Sequence, residues 1–179
     1  MKLTLRNILI WVAALFAILV FVFSFLPEVR FINSLSDSSY LHIIWGSDIV
    51  RNNANGQTAA LDPKLGGAGL AIAGAFLALV GGLCALCLSF FGEKLFKDAK
   101  VLRIVMFVAA GLLVLGGIFT FFAVEGFYGA MAKEMGVTVD QFKKQLADSN
   151  TTVKCGLPIV SGILGIVGGG SIVASQFVK

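Results

Sequence analysis

A chain of 179 residues that is 58% hydrophobic and only 13% charged, with mean hydropathy +0.92, cannot cover a water-facing surface, because soluble domains carry about a quarter charged residues. Lipid has to cover it instead. The net charge of +4 would point to nucleic acid in a soluble protein, but here the cations flank apolar runs, which reads as membrane topology. No nucleic-acid partner is expected, since no aromatic-and-basic patch is apparent.

In chain order, the first apolar run covers residues 8–26 and holds Trp11 with no ionisable residue. About 20 apolar residues cross a hydrocarbon core of roughly 30 Å, so this is a span. A cleaved signal peptide is the rival reading, with Lys2 and Arg6 as its basic start. The run is long for a signal core and ends Phe-Ser-Phe-Leu-Pro without a small-x-small site, so retention is expected. Pro27 is predicted to end the helix. Residues 27–65 read as a polar outer loop. Tyr40 to Trp45 suggests a short strand or a headgroup-layer segment. Trp45-Gly46-Ser47-Asp48 and Asn52-Asn53-Ala54-Asn55-Gly56 carry turn chemistry.

A second span is predicted over 66–91, a short basic loop over 92–100, and a third span over 101–124. So tight a connection predicts an antiparallel helical hairpin. Residues 125–155 form a second polar outer loop. Within it, Thr138 and Gln141 make a capping-box pattern. Val139, Phe142 and Leu146 then fall on one face, predicting a short amphipathic helix. Gly136 is placed to end a helix containing Met131 to Met135. A fourth span covers 156–178. The predicted fold is therefore an all-α membrane protein, a single four-transmembrane-helix bundle with two polar outer loops.

Fourteen basic residues divide evenly between the two sides: Lys2, Arg6, Lys94, Lys97, Lys100, Arg103 and Lys179 against Arg30, Arg51, Lys64, Lys133, Lys143, Lys144 and Lys154. Density separates them, since the first set sits in short segments beside helix ends. Only Glu93 and Asp98 share that side, against eight acids on the other. Both termini are therefore expected in the cytoplasm, with the plasma membrane as the expected location.

Cys84 and Cys87 form a C-x-x-C pair within the second span, at a spacing that shares one helix face. Accessible thiolates do redox and metal work, so the pair reads as two small apolar packing residues. With Cys155 alone and His42 as the single histidine, no disulfide framework, metal or cofactor is expected. Glu125 sits at the predicted end of the third span, where it marks a helix end rather than a transport path. Asn150-Thr151-Thr152 fits a glycosylation sequon, relevant where the source has a secretory pathway.

The spans are rich in small residues at helical spacing. Ser161, Gly165 and Gly169 form one row in the fourth span; Gly74, Ala78 and Gly82 form another in the second. In lipid, close backbone approach supplies packing energy, so these are the candidate helix-packing residues. Contact inside the bundle is the expected use, and contact between protomers the alternative.

The layout, with four spans, a longer first outer loop and a tight inner turn, resembles that of claudin-like and related tetraspan proteins. The Gly-Leu-Trp and cysteine pair of the claudin-type loop are missing, this loop having Trp45-Gly46 and no cysteine. A tetraspanin-type Cys-Cys-Gly is missing too, so no family is assigned. The expected role is non-enzymatic: a scaffold, adhesion element or accessory subunit with a membrane-protein partner or a second copy. An oligomeric transporter or channel subunit is the alternative. An enzyme would need converging nucleophile, base or metal groups, and the scattered acids do not supply them.

Overall fold

The computed structural model describes residues 4–46, 49–60 and 66–178, with the side chains of 27 and 28 excepted. Ser47, Asp48, Lys2, Lys64 and Lys179 lie outside the described residues. The elements run α1 (Leu5–Phe23), β1 (Pro27–Ile32), β2 (Asp37–Leu41), β3 (Ile49–Asn52), β4 (Thr58–Ala60), α2 (Gly69–Leu95), α3 (Ala99–Thr120), α4 (Phe122–Glu134), α5 (Val139–Asp148), β5 (Thr152–Lys154) and α6 (Gly156–Ser175). Four helical segments, Leu5–Phe23, Gly69–Leu95, Ala99–Glu134 and Gly156–Ser175, are long and apolar enough to cross a membrane.

The chain is not all-α. Both stretches expected as polar loops contribute strands to one antiparallel sheet of order β4-β3-β2-β1-β5. Boundaries also move: α2 covers Gly69–Leu95 where 66–91 was expected, and α6 stops at Ser175. α1 stops at Phe23, and Pro27, expected to end it, opens β1, where a missing N–H is tolerated at a first strand position. The third apolar segment continues past 124: after α3, Phe121 keeps helical angles and α4 runs to Glu134. Tyr40 and Leu41 close β2, but Ile43 to Trp45 form a turn entered through His42 at φ +55.

The chain separates into two compact units. One comprises Met1–Val22, Ala73–Thr120 and Ser161–Lys179; the other comprises Phe23–Ile72 and Phe121–Val160. The first is built from α1, α2, α3 and α6 around Ile10, Ala13, Ala17, Val20, Ala78, Ala85, Leu102, Met106, Ala109, Ala110, Leu113 and Ile172. Alanine recurs on every one of these helices except α6, so they meet nearly backbone to backbone. Large apolar side chains such as Leu15, Ile104, Val108 and Ile163 are left on the outside, an arrangement compatible with lipid contact. Cys84 and Cys87 are exposed too. Both were expected as packing residues; their shared face points away from the helical core.

The second unit holds the sheet, α4 and α5. Val29 and Phe31 on β1 lie on one face of the sheet, with Tyr40 on β2 and Val153 on β5, and pack with Phe127 of α4 and Phe142 of α5. Phe127 is its centre, 2% exposed. Its ring lies 5.0 Å from that of Tyr40, 5.8 Å from Phe31 and 6.3 Å from Tyr128, which stands 6.0 Å from Phe142. Edge-to-face and tilted ring pairs at such distances add attraction beyond the area they bury.

Local sequence fixes the ends of the helices. The Thr138 hydroxyl accepts from the Gln141 N–H at 3.2 Å, and the Gln141 side chain accepts from the Thr138 N–H at 2.9 Å, completing the capping box. After α4, Gly136 adopts φ +66, its N–H reaching the Lys133 carbonyl and the Val137 N–H the Ala132 carbonyl. After α5, Asn150 does the same at φ +49, with Thr151 bonded back to Leu146. Both are Schellman ends, which need a left-handed residue.

Candidate interaction surface and helix-packing seams

Three helix contacts in the first unit place the small residues singled out by sequence. On α6, a Cβ added at Gly165 would stand 2.5 Å from the Gly117 Cα of α3. One added at Gly169 would run into Val114 and stand 2.8 Å from the Ala110 carbonyl. Ser161 is 3% exposed. On α2, an added Cβ at Gly74 would meet the Gly116 carbonyl at 2.7 Å, while Ala78, fully buried, supplies the backbone that abuts Gly116. Gly82 lies against Ala17 of α1, and a Cβ added at Gly168 of α6 would stand 3.4 Å from the Phe16 Cβ. Within this unit α1, α2, α3 and α6 thus close a ring of contacts.

The residues missed are Gly116 and Gly117, adjacent on α3. Consecutive helix residues project about 100° apart, so Gly116 serves the α2 contact and Gly117 the α6 contact. A Gly-Gly doublet in mid-span is the signal that would have found them, because two helix faces must then be small at the same level.

In the second unit, Arg30 donates from Nε to Asp37 Oδ1 at 2.8 Å and pairs through Nη2 with Oδ2. Asn53 Nδ2 adds a bond to the same Oδ1 at 2.8 Å and another to Ser39 at 2.9 Å. These hydrogen bonds, from Arg30 first and Asn53 next, hold the Asp37 carboxyl down at about 2. Burial among the rings pushes the Tyr40 phenol up. Lys143 of α5 donates to both Glu125 oxygens, at 3.0 and 3.1 Å, and lies 5.2 Å over the Tyr128 ring. Glu125 therefore lies in the first turn of α4, paired with Lys143, and does not end the third apolar segment, which continues to Glu134. Cys155 is half-buried, and that burial pushes its thiol up.

Two further contacts order the connection between β2 and α2. Trp45 donates its indole N–H to Ser24 at 3.0 Å and stacks on Phe25 with centroids 4.9 Å apart. The Ala68 N–H bonds the Ile44 carbonyl at 2.9 Å, and an added Cβ at Gly67 would stand 3.1 Å from the same oxygen. The turn at 52–57 closes β3 onto β4, with Gly56 at φ +71 donating to Asn52 at 2.8 Å. No protein-family model matches the chain, and no curated protein matches it significantly.

Proposed function

We propose that the chain is a non-enzymatic, multi-pass membrane protein acting as a scaffold, adhesion element or accessory subunit through a folded outer platform. The observation that carries this reading is the second unit. The polar segments between the apolar helices are not slack connections; they share an aromatic core and a five-stranded sheet. Ordering such connections costs about 1–2 kcal/mol of backbone entropy per residue, and that cost is useful when loops present a fixed surface. The density of inner basic residues supports placing this platform outside the plasma membrane with both termini in the cytoplasm. The layout similar to claudin-like proteins agrees with that role. The partner is a membrane protein or a second copy of the chain.

Gentle detergent extraction after cross-linking tests the reading. A stoichiometric membrane-protein partner or a defined homo-oligomer is expected. The purified chain alone should pass no ions or small solutes when reconstituted in liposomes. Robust flux from the isolated protein would overturn the reading in favour of a channel or transporter subunit.

A further inference from the structure

The register of the sheet aligns one residue from each strand in a single row: Thr58, Arg51, Ser39, Arg30 and Lys154. Directly opposed residues of antiparallel strands lie on the same face. Val29 and Phe31 flank Arg30 in sequence and both are buried in the aromatic core, so Arg30 and its row occupy the opposite face. Arg30, Arg51 and Lys154 are exposed there, while Ser39 is small and 7% exposed, leaving a low floor between them.

Among the described side chains, charge on this face is unbalanced, with Arg30, Arg51 and Lys154 against the one carboxylate of Asp37. Arg30 and Lys154 stand directly opposite one another, an arrangement of like charges that destabilises a sheet. Asp37 relieves it, but its oxygens already take two bonds from Arg30 and one from Asn53. Among the described residues neither Arg51 nor Lys154 has an ion-pair partner. Arg30 itself keeps unused N–H donors, because a guanidinium carries five. The result is a cationic row across the strands, about 14 Å long from Arg51 to Lys154 at a strand spacing of about 4.8 Å.

The row runs across the strands. A peptide added to a sheet edge would lie along the strands and meet one member of it. A compact anion would reach one cation at a time. A linear polymer with acidic groups repeated along its length, laid across the strands, meets all three. We propose that the solvent face of this sheet docks an extended acidic polysaccharide, gripped by Arg51 and Lys154 at the ends and by Arg30 between them. This rests on the placement of the sheet outside the cell, where such polymers occur.

Immobilised heparin is the probe and neutral dextran the control, with the full chain in uncharged detergent. The parent should bind heparin and not dextran. Because Arg51 and Lys154 are exposed, Arg51→Ser with Lys154→Ser should leave circular dichroism unchanged. It should weaken binding roughly tenfold at 0.15 M salt and lower the slope of log affinity against log salt by about 1.5 to 2. Lys97→Ser with Lys100→Ser, one in the connection after α2 and one in the first turn of α3, should change neither. Failure of the parent to bind, or equal binding by the Arg51/Lys154 variant, overturns the docking face. Labelled heparin on intact expressing cells then separates the two claims. Binding in detergent with none on sealed cells keeps the face and overturns its outer placement.

Discussion

Gly165 and Gly170 lie five residues apart on α6 and face opposite demands. Glycine in a helix costs about 1 kcal/mol relative to alanine. At Gly165 a methyl would press on the Gly117 backbone, whereas at Gly170 nothing lies within 4 Å. Gly165→Leu with Gly169→Leu should therefore make the protein unfold more readily in detergent, by about 1–3 kcal/mol of overpacking or more, without changing its oligomer size. Gly170→Ala should be neutral or stabilising by up to about 1 kcal/mol. Thermal unfolding with size-exclusion chromatography reads both, and parent-like stability of the double Leu variant would show the seam to be slack. Asp37 gives a second test. Its carboxyl is held near 2 against an ordinary 3.8. A depressed carboxylate contributes stability that is fully present above the ordinary value and is lost as pH falls through the folded one. Carboxyl NMR should thus find Asp37 still ionised at pH 3, and Arg30→Gln should return its midpoint toward the ordinary range. A parent midpoint near 4 would mean the pair does not form. The row Ser161, Gly165 and Gly169 is legible in sequence because helical spacing is local. Its partner Gly117 is not, because which faces meet is decided only when helices pack.

The sheet shows where elements escape sequence reading. β4 and β5 are three residues each, too short for alternation to register. β2 carries Asp37, Ser38 and Ser39, residues of poor strand propensity, and is held by pairing with both neighbours. Val29 and Phe31, flanking Arg30, are the one visible alternation, and it sits directly after a span, where apolar residues read as helix. By contrast α5 is legible in full, since its capping box and its Val139, Phe142, Leu146 face are fixed within ten residues. Removing the cap with Thr138→Ala should cost about 1 kcal/mol. Amide exchange across 139–148 should then speed up about fivefold if the helix opens as a unit. Phe142→Ala, which empties a site 4% exposed, should cost about 3–5 kcal/mol and loosen β1 as well as α5. Protection that stays put in β1 would separate α5 from the sheet core.

For the molecule as a whole, inner basic density predicts its sidedness. In a chain with Cys84, Cys87 and Cys155 replaced by Ser, a single cysteine at Asn53 or Ser149 should react with an impermeant reagent on sealed cells. One at Lys97 should not. Reaction at Lys97 would reverse the assignment. Whichever side it occupies, the sheet has an order of manufacture. β5 hydrogen-bonds to β1 through Arg30, Phe31 and Ile32, yet more than a hundred residues and two apolar helical segments separate the two strands in the chain. Until Thr152 to Lys154 have been synthesised and delivered, β1 carries a row of unmet N–H and C=O groups, the kind of edge on which chains aggregate. Of the five strands in this sheet, the one made last is thus the one that seals the first. A chain stalled after α5 would hold most of its aromatic core and still present a sticky border along β1.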